Sequence, residues 1–90
     1  MLFRDLWNYL HIAYEAVNTG RLKEQDKAIN ALFRFLHRHK NQRFPAFLYS
    51  QAIRMLQRYS EHVLPALSYY AEEDRQAIAE DYRILREQLE

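Results

Sequence analysis

Residues that form tight turns are scarce in this chain. Its 90 residues include one glycine and two prolines, at Gly20, Pro45 and Pro65. Small folds rich in strands need many more of these residues, because each hairpin uses them. Ala, Leu, Glu, Gln and Arg are plentiful, and all of them favour helices. The sequence therefore predicts an all-α domain with few interruptions.

Apolar residues recur at steps of three and four between these turn residues, which is the period of one helical face. Four such series predict helices over roughly 3–18, 23–40, 45–60 and 69–88. Short connections favour antiparallel neighbours. We therefore predict a single domain over residues 1–90, folded as an antiparallel, up-down-up-down four-helix bundle. An orthogonal packing of the four helices is the alternative.

The helix ends carry recognisable signals. Gly20 suits the left-handed conformation that often follows a helix, and Pro45 suits a first helical turn. Ser68 offers a side-chain oxygen to cap the fourth helix. The last turn of the second helix is predicted to hold His37, Arg38, His39 and Lys40, where positive charge meets the negative end of the helix dipole.

Aromatic residues at helical spacing are expected to lie mainly in the core. Those considered are Trp7, Tyr9, Tyr14, Phe33, Phe35, Tyr69 and Tyr70. Phe35 lies off the apolar line of the second helix, so either that helix is buried on two sides or Phe35 is exposed for a partner. The same line passes through Gln25 and Asp26. The third helix reads as apolar on more than one side.

The charges are sorted along the chain although the net charge is only +1. Residues 1–26 carry a net charge of −1 and residues 61–90 carry −5, while residues 27–60 carry +7 and no acid. The seven cations are Lys27, Arg34, Arg38, Lys40, Arg43, Arg54 and Arg58. A nearly neutral total therefore hides a strongly basic middle.

Three interpretations of this basic middle remain open. In the first, Arg54 and Arg58 face acids of the fourth helix, such as Glu72, Glu73 or Glu80, and the charges specify helix order. In the second, the cations bind nucleic-acid phosphates and nearby aromatic rings stack on bases. In the third, they contact a membrane surface or another anionic partner. The acidic final third of the chain favours the first interpretation over the second.

Arrangements typical of enzymes are poorly represented. The single glycine excludes a glycine-rich phosphate loop, and no Ser or Thr stands in a recognisable arrangement with a His. His11 and Glu15 share one helical face, but two ligands do not make a metal site. Absence of cysteine excludes disulfides and thiolate ligands. We predict no catalytic, cofactor-binding or metal-binding residue, and no enzymatic activity.

Features of targeting are also missing. Arg4, Asp5 and Glu15 interrupt the first apolar run, and no small-residue cleavage site follows it, so a signal peptide is not indicated. No apolar stretch is long enough to span a bilayer. We expect a cytoplasmic protein.

The order of these features resembles the immunity proteins of pediocin-like (class IIa) bacteriocins, of the enterocin A immunity type. The resemblance covers nearly the whole chain and rests on four segments, LWNYLHIAYEAVNTGRL, AINALFRFLHRHK, FPAFLYSQAIRMLQRYSEHV and LSYYAEEDRQAIAEDYRIL. It implies a cytosolic four-helix bundle from a Gram-positive bacterium that protects the producer of the toxin without catalysis. It also implies association, at the inner membrane face, with the toxin-bound mannose-type phosphotransferase receptor, and toxin specificity carried largely by the C-terminal half.

The predicted function is therefore that of a bacteriocin immunity protein acting through protein contact. The candidate partner-binding residues are Arg38, Lys40, Arg43, Arg54, Arg58, His62, Tyr69 and Tyr70. A small nucleic-acid-binding regulator and a general helical adaptor are the alternatives. Peripheral membrane contact and a homodimer are left open.

Overall fold

The computed structural model describes residues 2–90, and every regular element within that range is helical. The four main helices are α1 (Leu2–Thr19), α2 (Leu22–Arg38), α3 (Ala46–Arg58) and α4 (Glu72–Leu89). A π-helical turn, Tyr59–Val63, and a 3₁₀ turn, Leu64–Ala66, follow α3. The predicted all-α four-helix bundle is confirmed.

Gly20 ends α1 in the way that the sequence predicts. Its φ is 72°, in the left-handed region, and its N–H donates to the carbonyl of Val17 at 3.1 Å. The Thr19 hydroxyl also turns back, donating to the Ala16 carbonyl at 2.6 Å. These bonds satisfy carbonyls that the end of a helix would otherwise leave unpaired.

The start of α4 differs from the prediction. Ser68 does not cap this helix, because α4 begins only at Glu72 and Ala71 occupies the N-cap position. The chain after α3 instead continues through the π-helical and 3₁₀ turns, which displace the helix start. Glu72, Glu73 and Asp74 still lie in the first turn of α4, where negative charge opposes the positive end of the dipole.

One contiguous core joins the four helices. It is built from aliphatic residues of all four and from two stacked rings, Tyr59 and Tyr82, whose centroids are 5.0 Å apart. The most completely buried aliphatic side chains are Leu6, Leu10, Ile29, Leu32, Leu36, Leu48, Leu56, Leu64, Leu67 and Leu85. Burying each of these contributes about 1.5–3 kcal/mol relative to leaving it exposed.

Phe35 is only 4% exposed, so α2 is buried on two sides. The second side packs on Tyr9 of α1, at 4.9 Å between ring centroids, and on Phe44 at 6.2 Å. The expectation of a core position is wrong for three other aromatic residues. Trp7, Tyr14 and Tyr69 are 49%, 40% and 56% exposed.

The two ends of the bundle hold different groups. At one end, Arg58 donates to the Oε1 of Gln25 at 3.0 Å, which joins the end of α3 to the start of α2. At the other end, residues 40–44, which follow α2, lie beside residues 88–90 at the end of α4. Among residues 2–90, none of the helices has both the length and the apolar character needed to cross a membrane.

Candidate functional site

Asp26 is the most buried charged residue among residues 2–90, with 8% of it exposed. Each of the two oxygens of its carboxylate accepts two hydrogen bonds. Oδ1 accepts from the Asn30 amide at 2.7 Å and from the Tyr59 hydroxyl. Oδ2 accepts from the hydroxyls of Tyr69 and Tyr70, at 2.8 and 3.0 Å. We call these five residues the Asp26 cluster.

The Asp26 cluster joins segments that are far apart in sequence. Asp26 and Asn30 lie on α2, Tyr59 opens the π-helical turn, and Tyr69 and Tyr70 precede α4. Asn30 extends the cluster to α4, since its Oδ1 accepts a hydrogen bond from the hydroxyl of Tyr82. The cluster therefore fixes the irregular segment between α3 and α4 against α2.

The tyrosines of this region are held in their protonated form. Burial, and then the hydrogen bond to Asp26, raises the pKa of Tyr59 well above its usual range. Burial likewise raises the pKa of Tyr82. Burial, and then the hydrogen bond to Asp26, also raises the pKa of Tyr70 and raises the pKa of Tyr69 to about 12. Each hydroxyl therefore remains a donor at neutral pH.

Four hydrogen bonds from other residues engage the Asp26 carboxylate. A carboxylate has about four lone-pair positions, and Asp26 already uses four of them on neutral donors of the protein. The sequence contained an indication of this cluster. Gln25 and Asp26 are adjacent polar residues on the core-facing line of α2, and polar residues are rare at buried positions.

The ion pairs among residues 2–90 all join residues that are close in sequence. On α4, Arg75 pairs with Glu72 at 2.6 Å, and Arg83 pairs with Glu80 and with Glu87. The hydrogen bonds from these arginines lower the pKa of Glu72 and of Glu80. Glu72, Glu80 and Glu87 are thus paired within their own helix.

The expected pairing between α3 and α4 is therefore wrong. Neither Arg54 nor Arg58 forms an ion pair with Glu72, Glu73 or Glu80. Arg58 instead donates to Gln25, and Arg54 is exposed. Arginines three and four residues from an acid on the same helix are within reach of it, and Glu72 and Glu80 pair locally with Arg75 and Arg83.

The predicted partner-binding residues do not converge on one site. Arg58, Tyr69 and Tyr70 lie at the Asp26 end of the bundle. Lys40 and Arg43 lie at the opposite end, in a recess of ≈ 370 Å³ with Tyr49 and the end of α4. The remaining members occupy separate positions: Arg38 at the end of α2, Arg54 on α3 and His62, 3.8 Å from Glu61, in the π-helical turn.

A groove of ≈ 640 Å³ along α2 was missed from the sequence. Three exposed cations, Lys23, Lys27 and Arg34, line it together with the exposed ring of Tyr69. They are spaced four and seven residues apart, so they share one helical face. Arg21 and Glu24 also line the groove and pair with each other at 3.2 Å. The groove is therefore cationic even though Asp26 lies in its wall.

A second concave surface is apolar. Phe3, Trp7 and Phe47 line a shallow groove of ≈ 560 Å³ together with Arg4. The rings of Trp7 and Phe47 meet edge to face at 6.5 Å between centroids, so the starts of α1 and α3 lie side by side. We call these four residues the aromatic patch. The expectation that Trp7 is a core residue concealed this surface.

His11 and Glu15 are the possible metal ligands that the sequence placed on one helical face. His11 and Glu15 do meet, with Nε2 and Oε1 2.6 Å apart, but both side chains are largely exposed. Within residues 2–90 no three His, Cys, Asp or Glu side chains are grouped as they would be around a metal ion.

The helices and surfaces described above define an all-α four-helix bundle with a buried polar joint and two exposed grooves, one cationic and one aromatic. Comparisons with known proteins found no matching family model, no matching curated protein and no matching solved structure.

Proposed function

We propose that this protein is a non-enzymatic binding protein whose exposed cations contact an anionic region of a protein partner. One observation carries this proposal: no acid of α4 forms an ion pair with the basic middle of the chain, whose cations remain exposed. Arg38, Lys40, Arg43 and Arg54 are all exposed and form no ion pair within residues 2–90. Such charges steer association and select partners of opposite charge.

The specific form of this proposal is a bacteriocin immunity protein. It rests on the resemblance of the four helical segments to the enterocin A immunity type, and the four-helix fold is compatible with it. In this role the chain acts in the cytosol, at the inner membrane face, on the complex of toxin and receptor. The C-terminal half, with His62, Tyr69 and Tyr70, then carries much of the discrimination between toxins.

Expression in a bacterial strain sensitive to class IIa bacteriocins tests this specific form. Cells that produce the protein are expected to survive at toxin concentrations that kill cells carrying the empty vector. Unchanged sensitivity to every toxin of the class would contradict the immunity function. It would leave open a general adaptor, for which affinity capture with purified protein is the measurement.

Charge variants test the surface itself. The double variant Lys40→Gln/Arg43→Gln removes two unpaired cations and is expected to reduce protection and partner capture. Arg21→Gln/Arg83→Gln changes the net charge equally, but it removes cations that already pair with acids. Equal losses in the two variants would mean that net charge, rather than this surface, governs binding.

Nucleic-acid binding is the second candidate, and the groove along α2 favours it. Three cations beside an exposed tyrosine ring are suited to hold a phosphate backbone while a base stacks on the ring. Fluorescence anisotropy with single-stranded and duplex DNA and RNA tests it at low salt. Binding that weakens steeply with salt and is lost in Lys27→Gln/Arg34→Gln supports this candidate, and absence of binding removes it.

A further inference from the structure

The aromatic patch is not explained by the fold or by the proposed function. Phe3, Trp7 and Phe47 are 46%, 49% and 51% exposed, although each could bury a large apolar area. The edge-to-face contact of Trp7 with Phe47 holds two of these rings in place at the surface. Apolar side chains that are clustered and exposed in this way commonly mark an interaction site.

The patch continues along both helices. Tyr14 follows Trp7 by seven residues on α1, and Arg54 follows Phe47 by seven residues on α3. A separation of seven residues is close to two helical turns, so each residue lies on the same face as the ring before it. Tyr14 and Arg54 are both exposed. The two helices therefore present adjacent stripes, each of which starts with aromatic rings.

The border of the patch is positively charged. Arg4 lines the groove directly, and Arg54 lies on the stripe of α3. The nearest acid on α1 is Asp5, two residues from both Phe3 and Trp7, which places it on a different side of the helix. On the side of α3 the sequence contains no acid from residue 27 to residue 60. The surface thus combines an aromatic centre with a cationic border.

We propose that the aromatic patch docks on the surface of a bilayer that contains anionic lipids. Trp7 enters the headgroup region, where its amphipathic ring is favoured, and the apolar rings of Phe3 and Phe47 are buried at the boundary with the acyl chains. Arg4 and Arg54 contact the lipid phosphates. The docking is peripheral, since no helix of residues 2–90 is suited to cross the membrane. Of the cations that carry the proposed function, only Arg54 borders this surface, whereas Arg38, Lys40 and Arg43 do not line it. The inference does not depend on the proposed function.

A second copy of the chain fits the patch less well. A two-fold dimer places the same patch of each subunit against the other. The residues that line the groove, Phe3, Arg4, Trp7 and Phe47, include no acid, so a second copy of the patch offers no opposite charge to Arg4. An anionic lipid surface covers the same rings and neutralises the same arginine. Charge complementarity therefore favours lipid as the occupant.

Trp7 makes the proposal directly measurable, because it is the only tryptophan in the chain. The probe is a set of vesicles made of equal parts of phosphatidylglycerol and phosphatidylcholine, with pure phosphatidylcholine vesicles as the comparison. At low salt, the anionic vesicles are expected to shift the emission of Trp7 to shorter wavelength and to carry the protein into the pellet. Added salt should weaken both effects, since it screens exposed charges.

Two variants separate the contributions of ring and charge. Phe47→Ala keeps the Trp7 reporter and is expected to weaken vesicle binding about fivefold, from the loss of roughly half of a phenylalanine burial. Arg4→Gln/Arg54→Gln should weaken it about fivefold per arginine. The matched controls are Ile84→Ala, an exposed aliphatic residue on α4, and Arg21→Gln/Arg83→Gln. Neither control is expected to change binding by more than about twofold.

Several results would overturn the proposal. These are absence of binding to anionic vesicles at low salt, equal binding to pure phosphatidylcholine, or equal effects of the variants and their controls. A shift of Trp7 emission that depends on protein concentration without lipid, with dimers in sedimentation, would assign the patch to a second copy. Circular dichroism of each variant verifies that the helices are intact, as expected for changes at exposed positions.

Discussion

Replacing Asp26 with asparagine tests the Asp26 cluster most directly, because the two side chains have nearly the same shape. Asparagine keeps one acceptor oxygen and replaces the other with a donating NH₂ group. The remaining oxygen is expected to stay with Tyr59, whose ring is buried, while the more exposed Tyr69 and Tyr70 lose their acceptor.

The expected cost follows from those two lost hydrogen bonds. A hydrogen bond to a charged group contributes about 1.5–3 kcal/mol, but water replaces part of it for partly exposed hydroxyls, and removing a buried charge recovers some desolvation energy. We expect a net loss of about 2 kcal/mol in the free energy of unfolding. For a domain of this size, that lowers Tm by about 8–16 °C. Asp26→Ala also leaves the buried Tyr59 hydroxyl without this partner, which should add about 1–3 kcal/mol to the loss.

Urea denaturation and calorimetry of Asp26→Asn provide the measurement. Asp81→Asn is the matched control, because Asp81 is exposed and accepts no hydrogen bond from another side chain of residues 2–90. Its effect should stay within about 0.5 kcal/mol. The reasoning is refuted if Asp26→Asn is as stable as the control, or more stable than the parent protein. Desolvation of the carboxylate would then outweigh its four hydrogen bonds.

Three further predictions concern other parts of the fold. Stability should fall as the pH rises above about 10, because the pKa of Tyr69 increases from 10.0 to about 12 on folding and those of Tyr59 and Tyr82 also increase. The unfolded chain then releases protons that the folded chain retains. The denaturant midpoint should therefore be lower above pH 10 than at pH 8, and this difference should be smaller in Tyr59→Phe. Gly20→Ala should lower the free energy of unfolding by about 1–2 kcal/mol, as measured by urea denaturation. A Cβ at this position meets no neighbouring atom, but the positive φ still strains it. Unchanged stability would contradict the left-handed conformation. Leu56→Ala should cost about 2–5 kcal/mol because the side chain is completely buried, whereas Ile84→Ala, at an exposed position, should cost far less.

The fold could be predicted largely because its signals are local. Apolar periodicity located four helices, and a single glycine marked the end of α1, since both depend on residues within one or two turns. The start of α4 could not be found in this way. Ser68 has the chemistry of a cap, but the turns after α3 and the hydroxyls of Tyr69 and Tyr70, bound to Asp26, hold this segment outside the helix.

The candidate surfaces were less predictable because they depend on which helix faces meet. Trp7 lies at the flank of an apolar stripe. In the fold its ring meets that of Phe47, forty residues later, and both rings are about half exposed. The partners of Arg54 and Arg58 were difficult to predict for the same reason. Sequence spacing does not show whether an acid on another helix faces these arginines. Asp26 gave a partial signal through its position on a core-facing line.

The Asp26 cluster also bears on the order of events in folding. Its hydrogen bonds to Tyr59, Tyr69 and Tyr70 close loops of 33, 43 and 44 residues, whereas Gly20 and Arg21 alone separate α1 from α2. Contacts across long loops incur a larger entropic cost before they form. A hairpin of α1 and α2 is therefore expected to be present in the transition state before the cluster closes. Changes at Asp26 should then accelerate unfolding more than they slow folding. The cluster therefore lowers the rate at which the C-terminal half unfolds.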